Sequence, residues 1–114
     1  MVHQVVSWSE VSKKIKRIVY SVAGRLGVGI DKIVLFGSRA RGDFREDSDW
    51  DILVVTREKL SKDMRRKLQI TVYRELCDAG IYADVLVIDR DTLERLKDDV
   101  GYVYYYALRE GIVL

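Results

Sequence analysis

Asp49 and Asp51 stand two residues apart at the head of an apolar run that ends near Val55, and Asp84 lies between Ala83 and Val85 in a later apolar run. In an extended chain, residues two apart leave the same face, so both carboxylates of the first pair point one way while Trp50 and Ile52 point the other. If the two strands are neighbours, three carboxylates converge on one small patch. Such a cluster repels itself and is costly to bury, so it either stays wet and partly protonated or binds cations. Oxygen donors with no nitrogen or sulfur among them suit a hard cation, Mg²⁺ or Mn²⁺. Two such ions about 3.5–4 Å apart form the clamp for in-line phosphoryl or nucleotidyl transfer. That geometry asks for a phosphate substrate.

Gly37-Ser38 supplies the complementary half. It follows the apolar, β-branched run Lys32 to Phe36 directly and can open a short helix, which would turn its backbone N–H groups toward a phosphate. Glycine permits close approach of the backbone, and the Ser38 hydroxyl adds a donor. No Gly-Lys-Ser/Thr follows, so this is not a Walker loop. Alone, the dipeptide reads as a tight turn; beside the aspartates, it reads as a phosphate site.

Gly37-Ser38-Arg39-Ala40-Arg41-Gly42, then Ser48-Asp49-Trp50-Asp51-Ile52, then Asp84 in a later strand, resembles the DNA polymerase β-like nucleotidyltransferase superfamily. Within it, the minimal nucleotidyltransferase (MNT) branch is most similar, with its pattern Gly-Ser-x-Ala-Arg-Gly, a short loop and Ser-Asp-x-Asp. Gly-Ser plus Asp-x-Asp at fixed spacing arises by chance in about one register in 10⁵, too rarely for coincidence in so short a chain. The resemblance runs from the first helix to Leu108-Arg109-Glu110-Gly111, and its one departure is Ile52 where leucine is usual.

The resemblance implies roles. Asp49 and Asp51 would hold two Mg²⁺ ions that bridge the phosphates of ATP, and Asp84 would complete the second metal site and help deprotonate the acceptor. Gly37 and Ser38 would bind the β,γ-phosphates. Arg39 and Arg41 are available to neutralise phosphate charge, and the sequence does not say which turns inward. An acceptor hydroxyl would attack the α-phosphate and release pyrophosphate. MNT proteins are commonly paired with helical HEPN toxins. The implied function is therefore a protein adenylyltransferase that places AMP on a tyrosine of a HEPN partner and acts as its antitoxin. Two other readings remain: an antitoxin that masks its partner by binding alone, and a nucleotidyltransferase acting on RNA or a small molecule.

The elements that must position these residues can be read from periodicity. Ser7-Trp8-Ser9-Glu10 matches a capping box, opening a helix with Val11, Ile15, Ile18, Val19, Val22 and Leu26 on one stripe, stopped by Gly27 and Gly29. Strands are expected at Lys32 to Phe36, Asp49 to Val55 and Ile81 to Ile88, with a polar loop from Asp43 to Ser48. A long helix, Ser61 to Ala79, carries Met64, Leu68, Val72, Leu76 and Ala79 on one face and stops at Gly80. Short helices near Thr92 to Asp98 and Tyr102 to Arg109, then a last strand within Gly111 to Leu114, complete the chain. This is an α/β (α+β) pattern, a small mixed β-sheet flanked by helices, in one domain over residues 1–114. Nearly all of that length is consumed by the fold, so the acceptor is expected to be held by a second protein or to be that protein.

Composition narrows the alternatives. A net charge of +2 on 114 residues argues against direct nucleic-acid binding. One cysteine, Cys77, excludes an internal disulfide or a cysteine-based zinc cage, and reads as a packing residue. The single histidine, His3, sits too near the terminus to serve a Ser-His-Asp site. No run approaches the ~20 apolar residues of a transmembrane helix, and no signal-peptide layout opens the chain, which places it in the cytoplasm. Asparagine and proline are absent and glutamine occurs twice, a lean toward a thermophilic source. Arg41-Gly42-Asp43 spells an integrin-binding tripeptide by coincidence. Lys62, Arg65, Arg66 and Lys67 read as a solvated basic helix face. Tyr102, Tyr105 and Tyr106 share a helical face that reads as core packing, with a partner interface as the other reading; Tyr104 adds a fourth ring.

Overall fold

The computed structural model describes residues 8–42 and 49–114. His3, Ser7 of the capping box, and the loop 43–48, including Asp43 of the tripeptide and Ser48, lie outside the described residues. The order is α1 (Trp8–Leu26), β1 (Ile30–Phe36), α2 (Gly37–Arg41), β2 (Trp50–Thr56), α3 (Lys62–Asp78), β3 (Ala83–Asp89), α4 (Arg90–Leu96), α5 (Val103–Glu110) and β4 (Ile112–Val113). These form one mixed sheet in the order β3-β2-β1-β4. β1 pairs antiparallel with β2 and β4, and β2 pairs parallel with β3. The small mixed sheet flanked by helices that the sequence leads one to expect is the architecture observed.

Both faces of the sheet are covered, which is why its central strands read as near-continuous apolar runs. On one face, Ile33, Leu35, Ile52, Val54 and Val85 pack against Val11, Ile15, Val19 and Val22 of α1 and Leu68, Val72 and Leu76 of α3. Trp50 belongs to that layer, as the alternation predicts. On the other face, Val34, Phe36, Leu53, Val55 and Ile88 pack against Leu93 of α4 and Ala107 of α5. The helix stripes are as expected, except that Ala79 is exposed at the end of α3. Ser61 caps α3, its hydroxyl accepting from the Met64 N–H at 3.1 Å. Arg25 and Glu75 pair across α1 and α3 on the surface, a contact worth at most about 1 kcal/mol.

β1 begins at Ile30 rather than Lys32 and β3 at Ala83 rather than Ile81, and two helices depart from the sequence expectation as well. Helix α4 begins at Arg90 rather than Thr92 because Asp89 caps it: the Thr92 N–H and hydroxyl donate to its carboxylate at 2.9 and 2.7 Å. The tyrosines are phased differently as well. Helix α5 begins at Val103, and it packs with Tyr104, Ala107 and Leu108 turned inward while Tyr102 and Tyr106 are exposed. Core packing therefore belongs to Tyr104 and not to the face shared by Tyr102, Tyr105 and Tyr106.

The Asp89 cap is testable. Partial burial alone would raise its carboxyl, but the bonds from Thr92 outweigh that and hold it below the ordinary value of 3.8. A carboxyl lowered by folding contributes stability above its unfolded pKa and loses it as pH falls through the folded value. Asp89→Ala should therefore cost about 1 kcal/mol at pH 7. The gap from wild type should narrow in acid, a difference that urea melts at pH 7 and pH 3 would measure.

Candidate active site

The end of β1 and the starts of β2 and β3 meet at one edge of the sheet. Asp51 lies opposite Phe36 in the β1–β2 ladder and in register with Asp84 in the parallel β2–β3 ladder. Asp49 is exposed and immediately precedes β2. The two strand carboxylates leave the sheet on the side of Leu53, Val55 and Ile88, away from Trp50 and Ile52. Directly beside Asp51, the chain turns from β1 into α2 at Gly37, where φ is +75°. A Cβ at this position would lie 2.1 Å from the Asp51 Oδ2 atom, so the carboxylate occupies the space that only glycine leaves open.

Electrostatics single out Asp51. Burial raises its carboxyl first, the charges of Asp84 and Asp49 raise it further, and Arg41 opposes them. Arg41 is thus the arginine whose charge acts on Asp51. The Arg41 guanidinium pairs with Glu110 at 2.9 Å while its charge reaches Asp51. The Arg39 guanidinium instead stacks over the Trp50 ring, 4.6 Å from its centroid. Glu110 is a site-bordering residue that the sequence reading included only in a closing motif, with no role assigned. Its partner is 69 positions away, and no local signal links them.

The three aspartates are brought to one region but not into a closed cage. Among the described residues, no group of three or more acidic, histidine or cysteine side chains is drawn together tightly enough to hold a metal ion. The donor chemistry nonetheless fits a hard divalent cation. The donors are oxygen only, and the excess of negative charge is already felt at Asp51.

A cleft of about 680 Å³ opens on the β3 side of the carboxylates. Asp51, Asp84 and Phe36 line one wall, and Arg66, Ile70 and Tyr73 of α3 line the other. Gln69 closes its floor by donating to the Val85 carbonyl at 2.6 Å. The Tyr73 phenol is half-exposed and held above its ordinary range, first by its hydrogen bond to Cys77 and also by the charges of Asp49 and Asp84. Arg66 and Tyr73 were not predicted as site residues; the basic face of α3 read as solvated surface.

The pattern of the polymerase β nucleotidyltransferase family matches residues 13–114. The chain belongs to that family. This nucleotidyltransferase is 51% identical over 43 residues to "Putative protein adenylyltransferase MJ0604" of Methanocaldococcus jannaschii, a match covering 38% of this chain and 43% of that protein. The curated relatives it matches are covered over 43% and 60% of their length. Among solved structures, it superposes on a "putative minimal nucleotidyltransferase" with a TM-score of 0.60 at 26% identity, covering 97% of this chain and 99% of the other. It also superposes, with a TM-score of 0.53 at 18% identity, on a chain from the complex of a tri-AMPylated Shewanella oneidensis HEPN toxin with its MNT antitoxin. That match covers 90% of this chain and 67% of the other, and at such identity it shows the fold alone.

Proposed function

We propose that this nucleotidyltransferase transfers AMP from ATP to a tyrosine hydroxyl of a HEPN-type toxin and thereby serves as its antitoxin. The observation that carries the reading is the placement of Asp51, wedged against Gly37 on one side and in register with Asp84 on the other. This puts a carboxylate pair at a phosphate-compatible turn with an open cleft beside it. Relatives named as protein adenylyltransferases and the fold shared with an antitoxin bound to an AMPylated toxin support the choice of acceptor.

The sheet order suggests how the substrates lie. The turn at Gly37–Ser38 follows β1 and the cleft borders β3, so Asp51 on the intervening β2 separates the two. In this reading, the triphosphate lies over Gly37 and Ser38, and the acceptor tyrosine enters through the cleft past Asp84. The acceptor oxygen forms a bond to the α-phosphorus as the bond to the β-phosphate oxygen breaks, and pyrophosphate leaves. Asp84 takes up the hydroxyl proton, and Arg41, steadied by Glu110, offsets charge on the phosphates. Asp49, Asp51 and Asp84 would hold Mg²⁺, and the chemistry supplied there is neutralisation and in-line alignment of the phosphates.

The test uses ATP labelled at the α-phosphate, Mg²⁺ and native cell extract, with wild type run beside Asp84→Ala. Label on one small protein with wild type only is the expected result. Label on RNA or a metabolite would replace the acceptor class. No label, together with a stable complex with the partner, would replace catalysis with masking.

A further inference from the structure

At the opposite end of β2 and β3 lies a second cleft of about 310 Å³ that the transfer reaction does not use. Lys59, Arg65 of α3 and Arg95 of α4 converge on it, and Tyr102 and Tyr104 form a wall. Among the described residues, none of the three cationic side chains is held in a hydrogen bond or ion pair. Among the described residues, the one carboxylate lining the cleft, Asp89, already accepts two hydrogen bonds from Thr92, although the Lys59 charge reaches it. Three cations thus face one committed anion. The two tyrosine rings are nearly parallel, 17° apart with centroids separated by 6.3 Å, and Tyr102 is half-exposed. Tyr102 sits at the N-cap of α5, and its side chain makes no cap bond.

Unpaired cations beside flat aromatic faces are what a base carrying a phosphate requires. We propose that this cleft binds one free nucleoside phosphate, with its base stacked on Tyr102 and its phosphate held among Lys59, Arg65 and Arg95. The volume is at the lower end of the range for small-molecule pockets, about 300–1,000 Å³, which favours a mononucleotide. A net charge of +2 gives no long basic track for a polymer. The site is separate from the transfer site. The Thr56–Asp89 pair lies five rows beyond the Asp51–Asp84 pair in the parallel ladder, roughly 17 Å along the strands. A single mononucleotide cannot occupy both, so the proposal stands or falls independently of the transfer reaction.

Amide spectra of ¹⁵N-labelled protein titrated with AMP, in the absence of divalent cations, provide the test. Saturable shifts are expected at Thr56, Thr92, Arg95 and Tyr102, and not at Ser38 or Asp51. Arg95→Gln should weaken binding roughly tenfold by removing a charge-assisted contact. Tyr102→Ala should weaken AMP but leave inorganic phosphate unaffected, and Tyr102→Phe should restore AMP binding. Both positions are exposed, so the unchanged remainder of the spectrum reports an intact fold. Shifts confined to Ser38, Asp51 and Asp84 would overturn the proposal, as would the absence of saturation at millimolar AMP. Phosphate binding as tightly as AMP would remove the stacked base. Single-stranded RNA binding more tightly than AMP at these residues would replace the free nucleotide with a polymer.

Discussion

Asp51→Asn is expected to reduce AMP transfer at least roughly 10²–10³-fold, the scale on which losing one preorganised charge-stabilising group is felt, while the protein becomes no less stable at pH 7. Burial and the charges of Asp84 and Asp49 raise the Asp51 carboxyl, so its ionised form is disfavoured by folding. The sign follows from linkage. A carboxyl raised by folding adds most to stability below its unfolded value of 3.8, and that contribution is lost as pH rises through the folded value. Asparagine keeps the shape without the charge, so its advantage over wild type should be present at neutral pH and fade in acid. Divalent cation should raise the melting temperature of wild type more than that of the variant, because binding to the folded state stabilises it. Melts at pH 7 and pH 4, with and without Mg²⁺, alongside the labelled-ATP assay, would measure all three effects. Parallel loss of activity and stability would instead make Asp51 a structural residue.

What the sequence disclosed about this site depended on how local each signal was. Helices α1 and α3 were legible because their stripes repeat over many turns and glycines stop them. The alternation that sends Trp50 and Ile52 inward and Asp51 outward is a property of one strand, and it held. The adjacency of Asp51 and Asp84 required β2 and β3 to pair in one register, which periodicity permits but does not dictate. The Arg41–Glu110 pair joins α2 to the end of α5 and has no sequence signature. The Asp89 cap follows from Asp89 standing three residues before Thr92, but the apolar run continuing to Ile88 hides that signal in the sequence. The face of α5 that packs lies two positions from the one expected, Tyr104, Ala107 and Leu108 in place of Tyr102, Tyr105 and Tyr106, which is about 200° around the helix. Helix phase in so short an element is fixed by what it packs against, here Val34 and Phe36 of the sheet, rather than by its own sequence.

Gly37→Ala should disable the site as thoroughly as loss of a carboxylate, and Gly42→Ala supplies the comparison that explains why. Gly37 opens α2 and Gly42 caps its end, both at positive φ, +75° and +84°. Either substitution forces an L-residue into the left-handed region, at about 1–2 kcal/mol. Among the described residues, only the Gly37 site is crowded: its new Cβ would meet Asp51 Oδ2 at 2.1 Å and Cγ at 3.0 Å, whereas none of them lies within 4 Å of a Cβ at Gly42. Gly42→Ala should therefore lose about 1–2 kcal/mol of stability and keep its transfer activity. Gly37→Ala should lose more stability than that, and transfer should fall at least roughly 10²-fold as the carboxylate is driven from its position beside Asp84. A double-mutant cycle isolates the clash, because truncating Asp51 to alanine removes the atoms that the new methyl group would strike. In that background, Gly37→Ala should cost no more than Gly42→Ala does in wild type. If the two costs remain unequal, the glycine serves the backbone turn and not the carboxylate, and the close packing of Asp51 against Gly37 loses its functional meaning.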